Sequence, residues 1–192
     1  MTRHRNYLAY MFFALLASTL ANPQTLPTSS NGKQDRLIVY GKDFSFGVKE
    51  PENWTADTEE LARKFHVNVV FTKKKGDGDD KSVTIRVRVN EKVDENTVED
   101  LNYDMEQYKK EFPNAQFGAL KEVHPEYKTL AKQVYVPGQF YEYVTYVNPG
   151  PESRFTFSVA LSKDGAAASP GQLNAYDEVL RSLVWLTSGP KK

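Results

Sequence analysis

The sequence contains no cysteine, and that absence removes several kinds of chemistry. Disulfide bonds cannot contribute to stability, so the fold must depend on a packed core. Thiol nucleophiles and cysteine-bound metals are excluded as well. Histidine is scarce, at three residues in 192, and two of them, His66 and His124, lie beyond the N-terminal segment. Catalytic or metal-binding arrangements built on histidine therefore have few residues to use.

An excess of charge of either sign is also missing, because 25 Lys and Arg residues face 25 Asp and Glu residues. Loss of Arg3 and Arg5 with a cleaved leader would leave a slight acidic excess. Nucleic-acid binding usually appears as a basic patch or a strongly basic domain. The composition therefore gives no reason to expect a nucleic-acid partner.

Long apolar runs are confined to the N-terminus, which has the organisation of a secretory signal peptide. Arg3 and Arg5 form a basic region, and an apolar stretch over 7–17 follows it. This stretch is short for a bilayer span, which favours cleavage after Ala21 over an uncleaved membrane anchor. We expect an exported protein, periplasmic or extracellular, with no integral membrane span after cleavage.

Composition divides the sequence further. Residues 1–21 are the predicted signal peptide, and residues 22–35, rich in Pro, Ser, Thr and Asn, are expected to form a flexible arm. Residues 36–187 suit a single domain that is large enough to bury a proper core. Residues 188–192 form a C-terminal tail.

Two alternating runs predict a β-hairpin early in this domain. Residues 66–72 and 82–90 each place apolar side chains on one face, and a polar loop rich in Gly and Asp joins them. A symmetric register pairs Phe71 with Val83 and puts His66, Arg86 and Arg88 together on the other face. Two arginines and a histidine could hold a carboxylate or a phosphate. The alternative is a solvated sheet face, or one whose arginine stems support a helix.

Two amphipathic helices are predicted. The first begins at Thr97, a good N-cap residue, and extends to Phe112, where Pro113 stops it. The second begins at Ser169-Pro170, which suit the N-cap and the first helical position. The apolar stripe of the first helix has helical spacing and consists of Val98, Leu101, Met105, Tyr108 and Phe112.

Three consecutive antiparallel strands are predicted over residues 133–162, which are rich in β-branched and aromatic side chains. Pro137-Gly138 makes the first turn, and residues 148–153 make the second. If the first turn has two residues, Glu142 lies opposite Gln133. The third strand is then expected to supply three apolar side chains to the face that carries Glu142, namely Phe155, Phe157 and Val159.

Glu142 fits this predicted sheet least well. A carboxylate among such side chains would have a raised pKa and would need a partner, which is typical of functional sites. A register shift, an edge position or a side chain that reaches solvent would remove the anomaly. Tyrosines concentrate nearby, at positions that either bind a partner or an apolar ligand or simply pack within strands: Tyr135, Tyr141, Tyr143 and Tyr146.

The order of these elements resembles the PsbP family, the extrinsic subunits of the photosynthetic oxygen-evolving complex. The likeness rests on residues 40–46 leading to Pro51 and Trp54, on the hairpin, helix and aromatic strands, and on a closing helix that ends in 180–185. The resemblance implies an α+β fold with helices on both faces of an antiparallel β-sheet, an α/β/α sandwich. It also implies a non-enzymatic binding or assembly role. The family's metal-binding and Ran-binding residues have no matching positions here, and none is carried over.

Function is therefore expected to reside in a surface. The sequence has no Gly-x-Ser-x-Gly motif, phosphate loop or paired-histidine motif, and His124, before Pro125, is interpreted as an exposed loop residue. We expect an exported binding or accessory module that contacts an envelope or secreted protein and needs no cofactor or metal. The second hypothesis is a carrier of a small or apolar ligand, with a pocket between sheet and helix near Glu142 and the tyrosines. An unrecognised hydrolase that uses Glu142 or a histidine is the third.

Overall fold

The structure, a computed structural model, describes residues 36–74, 82–93, 97–121 and 124–186. The predicted signal peptide, the N-terminal arm and the C-terminal tail lie outside these ranges, as does most of the predicted hairpin loop. None of the helices within these ranges has the length and apolar character needed to cross a bilayer.

The described ranges contain ten strands and three helices. The first half contains β1 (Leu37–Gly41), β2 (Phe44–Val48), β3 (Trp54–Asp57), α1 (Glu60–Phe65), β4 (Val69–Lys73), β5 (Val83–Glu91) and α2 (Val98–Glu111). The second half contains β6 (Gln116–Ala119), β7 (Lys128–Val136), β8 (Phe140–Asn148), β9 (Phe155–Asp164), α3 (Pro170–Ser182) and β10 (Val184–Leu186).

These strands form two antiparallel sheets. The large sheet has seven strands in the order β3-β4-β5-β9-β8-β7-β6, and the small sheet has three in the order β1-β2-β10. The predicted strands of residues 133–162 become β7, β8 and β9, which are neighbours in the large sheet. In the small sheet, β10 pairs with β2, so the two ends of the domain meet there.

The predicted α/β/α sandwich is wrong. Strands account for 45% and helices for 24% of the described residues, and the strands form two sheets accompanied by three helices. The closing helix ends earlier than the resemblance implies, since Leu183 has extended backbone angles (φ −61°, ψ 129°). Residues 184–186 then pair with residues 45–47 as a strand. A second sheet therefore occupies space that the predicted sandwich gives to helices.

One face of the large sheet, which we call the apolar face, carries the main hydrophobic core. The small sheet packs against it, because the Phe157 ring centroid lies 5.3 Å from that of Phe46 and 5.6 Å from that of Trp185. Helix α3 packs there as well, and its Tyr176 hydroxyl donates to Thr145 Oγ1 at 2.8 Å. The fully buried side chains that the central strands contribute to this face include Phe71, Ile85, Val87, Val159 and Leu161.

The opposite face, which we call the polar face, is covered by α2. Leu101, Met105 and Tyr108 of α2 pack there in a smaller cluster with Val144 and Ala160 of the sheet. The apolar stripe predicted for this helix is thus largely confirmed, although Val98 is 43% exposed. The polar side chains that share this face across β5, β8 and β9 include Arg86, Arg88, Asn90, Glu142, Ser158 and Ser162.

Helix α3 begins as its sequence predicts. Ser169 is the N-cap, and its Oγ accepts a hydrogen bond from the Gln172 backbone N–H at 3.4 Å. The Gln172 side-chain oxygen accepts in return from the Ser169 N–H at 2.8 Å. This capping box satisfies two donors that a helix start would otherwise leave unpaired, and it fixes where α3 begins on the apolar face.

One backbone N–H group of the edge strand β3 is hydrogen-bonded to a side chain. Glu50 Oε2 accepts a hydrogen bond from the Ala56 backbone N–H at 2.9 Å, and β3 has only four residues. Unpaired backbone groups on an edge strand can pair with another chain. The Glu50 carboxylate pairs with one such backbone N–H group on β3.

Candidate functional site

Two of the residues singled out from the sequence, Arg86 and Glu142, meet on the polar face. Arg86 lies in β5 and Glu142 in β8, with β9 between them. Ser162 of β9 is directly opposite Glu142, and Ala160 is directly opposite Arg86. The small side chains of β9 leave room for the long Arg86 side chain to cross that strand and reach the carboxylate.

Glu142 is surrounded by three donors. Arg86 Nη2 forms a direct ion pair with Oε1. Ser162 Oγ donates to the same oxygen at 2.8 Å, and Tyr108 Oη of α2 donates to Oε2 at 2.6 Å. Glu142 is 1% exposed, and a carboxylate removed from water to that extent requires such compensation.

Arg86 is held on its other side by an aromatic ring. Its guanidinium carbon lies 5.6 Å from the ring centroid of Phe65, the last residue of α1. Arginine over an aromatic face gains from the electrostatics of the ring as well as from apolar contact. The buried ion pair therefore connects α1, three strands of the large sheet and α2.

A second pair of a carboxylate and a tyrosine lies one helical turn away along α2. Tyr146 Oη of β8 donates to Asp104 Oδ2. Burial is the main reason that the pKa of Asp104 rises to about 6, and the charges of Glu142 and Asp100 raise it further. The Tyr146 hydrogen bond and the Arg88 charge lower this pKa, but their effects are smaller than that of burial. Arg88, predicted to share a face with Arg86, thus acts on Asp104, and burial lowers the pKa of its guanidinium.

Both tyrosines in these pairs remain hydroxyl donors at neutral pH. Burial is the largest cause that raises the pKa of Tyr108 and of Tyr146, and the neighbouring carboxylates raise both further. The two bonds are reciprocal, because a helix hydroxyl reaches a sheet carboxylate and a sheet hydroxyl reaches a helix carboxylate. The position of α2 along the sheet is therefore fixed by two polar contacts.

This buried centre holds charge without presenting it to a substrate. A general base must lie within hydrogen-bond reach of the group whose proton it takes. Both oxygens of Glu142 instead accept from internal donors, and the carboxylate is almost completely covered. Glu142 and Arg86 therefore act in the structure as residues that join α2 to the sheet.

The strand register predicted for Glu142 is wrong by one residue, and so is the set of side chains expected around it. Glu142 pairs with Val134 instead of Gln133, because residues 137–139 form a three-residue loop between Val136 and Phe140. On the other side, β9 presents Ser162 to Glu142. A shift of one residue moves every side chain of a strand to the opposite face. The side chains expected beside Glu142 lie on the apolar face instead: Phe155, Phe157 and Val159.

His66 does not join the two arginines as predicted. It is the exposed C-cap of α1, with a left-handed φ of 54°. The Val67 N–H donates to Ala62 O at 2.9 Å, so this segment ends a helix, and β4 begins only at Val69. The β4–β5 register also differs by two residues from the symmetric one, since Phe71 pairs with Ile85.

The concentration of tyrosines is divided between the two faces. Tyr146 lies on the polar face, whereas Tyr143 is buried in the main core at 6% exposure. Tyr135 of β7 and Tyr141 of β8 are directly opposite each other, half-buried, and stacked with ring centroids 4.3 Å apart. This stacked pair is the part of the predicted concentration that a partner can reach.

His124 is not the exposed loop residue that the sequence suggests. Its Nδ1 accepts from the backbone N–H groups of Glu126 at 3.1 Å and Tyr127 at 3.0 Å. Its proton therefore lies on Nε2, which donates to Leu183 O at 3.2 Å. Burial lowers the pKa of this half-buried ring. The Trp185 N–H also donates to Tyr127 Oη at 3.1 Å, so residues 124–127 fasten the start of β10.

A cleft of about 420 Å³ lies away from Glu142, beside α3. Arg181 Nε donates to Asp177 Oδ2 at 2.7 Å within it. Its polar and largely charged lining differs from the apolar pocket that the carrier hypothesis requires. The lining consists of Arg36, Lys49, Asn174, Asp177, Glu178, Arg181 and Ser182.

Comparisons with known proteins add no assignment. No family model matches the chain, and no curated protein matches it. Within the described ranges, no group of three or more His, Asp or Glu side chains is arranged to hold a metal ion. The resemblance to the PsbP family therefore stays a prediction, and function has to be argued from the geometry of this chain.

Proposed function

We propose that the protein is an exported binding or accessory module that contacts a partner protein around the stacked pair of Tyr135 and Tyr141. The pair is half-buried on the large sheet, with 4.3 Å between ring centroids. Tyrosine supplies a large, rigid apolar surface with a polar tip, and it is enriched where proteins bind one another. This accessible aromatic pair is the observation that carries the proposal.

The surroundings of the pair suit a contact surface. Gln116 pairs with Tyr135, and Gly118 pairs with Gln133, so these residues form one strip of the same face across β6, β7 and β8. A side-chain carbon added at Gly118 would approach only Gln133 within 4 Å, which leaves the strip open above that glycine. Aromatic side chains flanked by amides have the composition of a binding centre with a polar rim.

The state of Glu142 favours binding over catalysis as the role of this protein. The carboxylate accepts from Arg86, Ser162 and Tyr108 and is 1% exposed. A hydrolase built on Glu142 would have to break these bonds and open the contact between α2 and the sheet. The tyrosine strip requires no such rearrangement to meet a partner.

The proposal is tested with a matched pair of double variants. The mature folded protein is crosslinked in native envelope or secreted extract, and captured proteins are identified by mass spectrometry. Each captured candidate is then purified, and its Kd is measured directly. We expect Y135S/Y141S to weaken binding at least tenfold, while the control Y40S/Y103S, which alters tyrosines that are 46% and 48% exposed elsewhere, leaves it unchanged.

Two results would contradict the proposal. Equal binding by wild-type protein and Y135S/Y141S would place the interface away from the strip. A wild-type protein that captures no partner that can be reproduced with purified components would remove the accessory role. Thermal denaturation of both double variants shows whether each has kept its fold, so that lost binding is not confused with lost structure.

A further inference from the structure

The layer between α2 and the large sheet holds a cluster of charged side chains that are buried or half-buried. Three carboxylates, from Asp100, Asp104 and Glu142, share this layer with the guanidinium groups of Arg86 and Arg88. Asp100, Arg86 and Glu142 are each less than 9% exposed. If every group is ionised, these five groups carry one excess negative charge in a poorly solvated space. A single bound proton would balance them.

Asp104 is the carboxylate best placed to take that proton. Glu142 has an arginine and two hydroxyl donors, and Asp100 Oδ1 accepts from the backbone N–H of Val93 at 3.3 Å. Asp104 has the Tyr146 hydroxyl as its direct donor. It also follows Asp100 by four residues on α2, a spacing at which two like charges destabilise a helix.

We propose that protonation of Asp104 stabilises the packing of α2 on the large sheet, so that α2 is held more tightly in acid than at neutral pH. A neutral Asp104 still accepts the Tyr146 hydrogen bond and needs no counter-charge. An ionised Asp104 keeps that bond but adds a negative charge beside Asp100 and Glu142. The helix therefore docks at lower cost when Asp104 is protonated.

The direction of the effect follows from the groups that face Asp104. Arg88 of β5 and the Tyr146 hydroxyl of β8 favour the ionised form, whereas burial, Glu142 of β8 and Asp100 of α2 favour the protonated form. Burial is the largest cause, and the pKa rises from 3.8 to about 6. A carboxyl group with a raised pKa contributes stability that is complete below its ordinary pKa and is lost as the pH rises through the raised value.

Hydrogen exchange of the α2 amides in the full mature protein tests this dependence on the protonation of Asp104. Protection factors, corrected for intrinsic exchange, are compared at pH 5 and pH 7.5. A pKa of about 6 when α2 is docked and 3.8 when it is released gives wild-type α2 about tenfold more protection at pH 5. The D104N variant should show no such change, because its amide oxygen still accepts from Tyr146 but does not ionise.

A control and a direct titration make the outcome decisive. E106Q removes an exposed acid from the same helix and should keep the tenfold change of the wild type. Carboxyl carbon chemical shifts in NMR should show Asp104 titrating near pH 6 in the wild type. The proposal is overturned if α2 protection in the wild type is independent of pH, if D104N keeps the wild-type change, or if Asp104 titrates below pH 5.

Discussion

The two faces of the large sheet are closed by different interactions. The apolar face buries completely such side chains as Phe71, Ile85 and Phe157, whose attraction has no fixed direction. The polar face buries Arg86 and Glu142, and the bonds of Glu142 to Arg86 and to Tyr108 have strict geometry. One sheet thus carries α2 on one face, and α3 together with the small sheet on the other, through opposite kinds of contact.

This difference separates stability from positioning. Apolar contacts tolerate exchanges that conserve volume, because the burial of area matters more than exact partners. A buried ion pair contributes little net stability beyond an apolar pair of similar size, yet loss of one partner is severe, because a charge is left buried and unpaired. We infer that the apolar face supplies most of the stability, whereas the polar face determines where α2 sits.

The largest expected effect comes from breaking the polar face on one side only. E142A leaves the Arg86 guanidinium buried without its carboxylate, and we expect a loss of about 3–5 kcal/mol in the free energy of unfolding. The double variant R86M/E142L replaces both charges with apolar groups of similar size, and it should recover part of that loss, because Tyr108 and Ser162 still lose their acceptor. Urea denaturation of both proteins measures the difference.

The matched change on the apolar face is L161A, since Leu161 is fully buried. Truncation there should cost about 2–5 kcal/mol through lost contacts and a cavity. The polar-face loss should thus be partly reversible by changing the partner, whereas the loss in L161A follows from missing volume. An R86M/E142L protein as unstable as E142A would show that the two faces do not differ in this way.

A smaller and sharper comparison uses one hydroxyl from each helix. Y108F removes a donor to the charged Glu142 oxygen, and we expect it to cost about 1.5–3 kcal/mol. Y176F removes a hydroxyl whose hydrogen-bond partners are the neutral oxygens of Thr145 and Val159, and it should cost about 0.5–1.5 kcal/mol. Chemical denaturation of the two variants under the same conditions gives the ranking, and equal losses would contradict the assigned difference between charged and neutral acceptors.

The smallest expected effect is a pH dependence opposite in sign to that of Asp104. Because burial lowers the pKa of His124 below 6.5, its contribution to stability is present above pH 6.5 and is lost as the pH falls through its folded pKa. Protonation also removes the Nδ1 acceptor used by Glu126 and Tyr127. From pH 7.5 to 5.5, the melting temperature of the wild type should fall slightly relative to that of H124N, whose amide oxygen can still accept in a tight turn. A relative rise for the wild type would reverse this assignment.

The sequence predicts best where local chemistry decides the structure. Ser169, Pro170 and Gln172 carry the start of α3 in consecutive positions, and the structure forms the expected cap. The shift of two residues between β4 and β5 did not alter which residues share a face, so Arg86 stayed on the predicted side. Period-two patterns survive such a shift because alternate side chains point the same way.

The sequence predicts worst where both phases of a strand are apolar. In β8, one phase carries Val144 and Tyr146 and the other carries Tyr143 and Val147, so the pattern alone does not show which phase joins the large apolar residues of β9. The register between β8 and β9 decides it, since Tyr143 pairs with Leu161 and Glu142 pairs with Ser162. The partnership of Glu142 with Arg86, and the roles of Tyr108 and Asp104, depend on contacts between residues far apart in the chain, which no local pattern encodes.

Glu50 bears on the tendency of the protein to aggregate. The edge strand of a sheet is where copies of a chain can join into ordered aggregates. By binding the Ala56 N–H, the Glu50 carboxylate makes the short strand β3 a poor template for further growth. The exposed edge of β3 therefore offers one backbone donor fewer to a neighbouring copy of the chain.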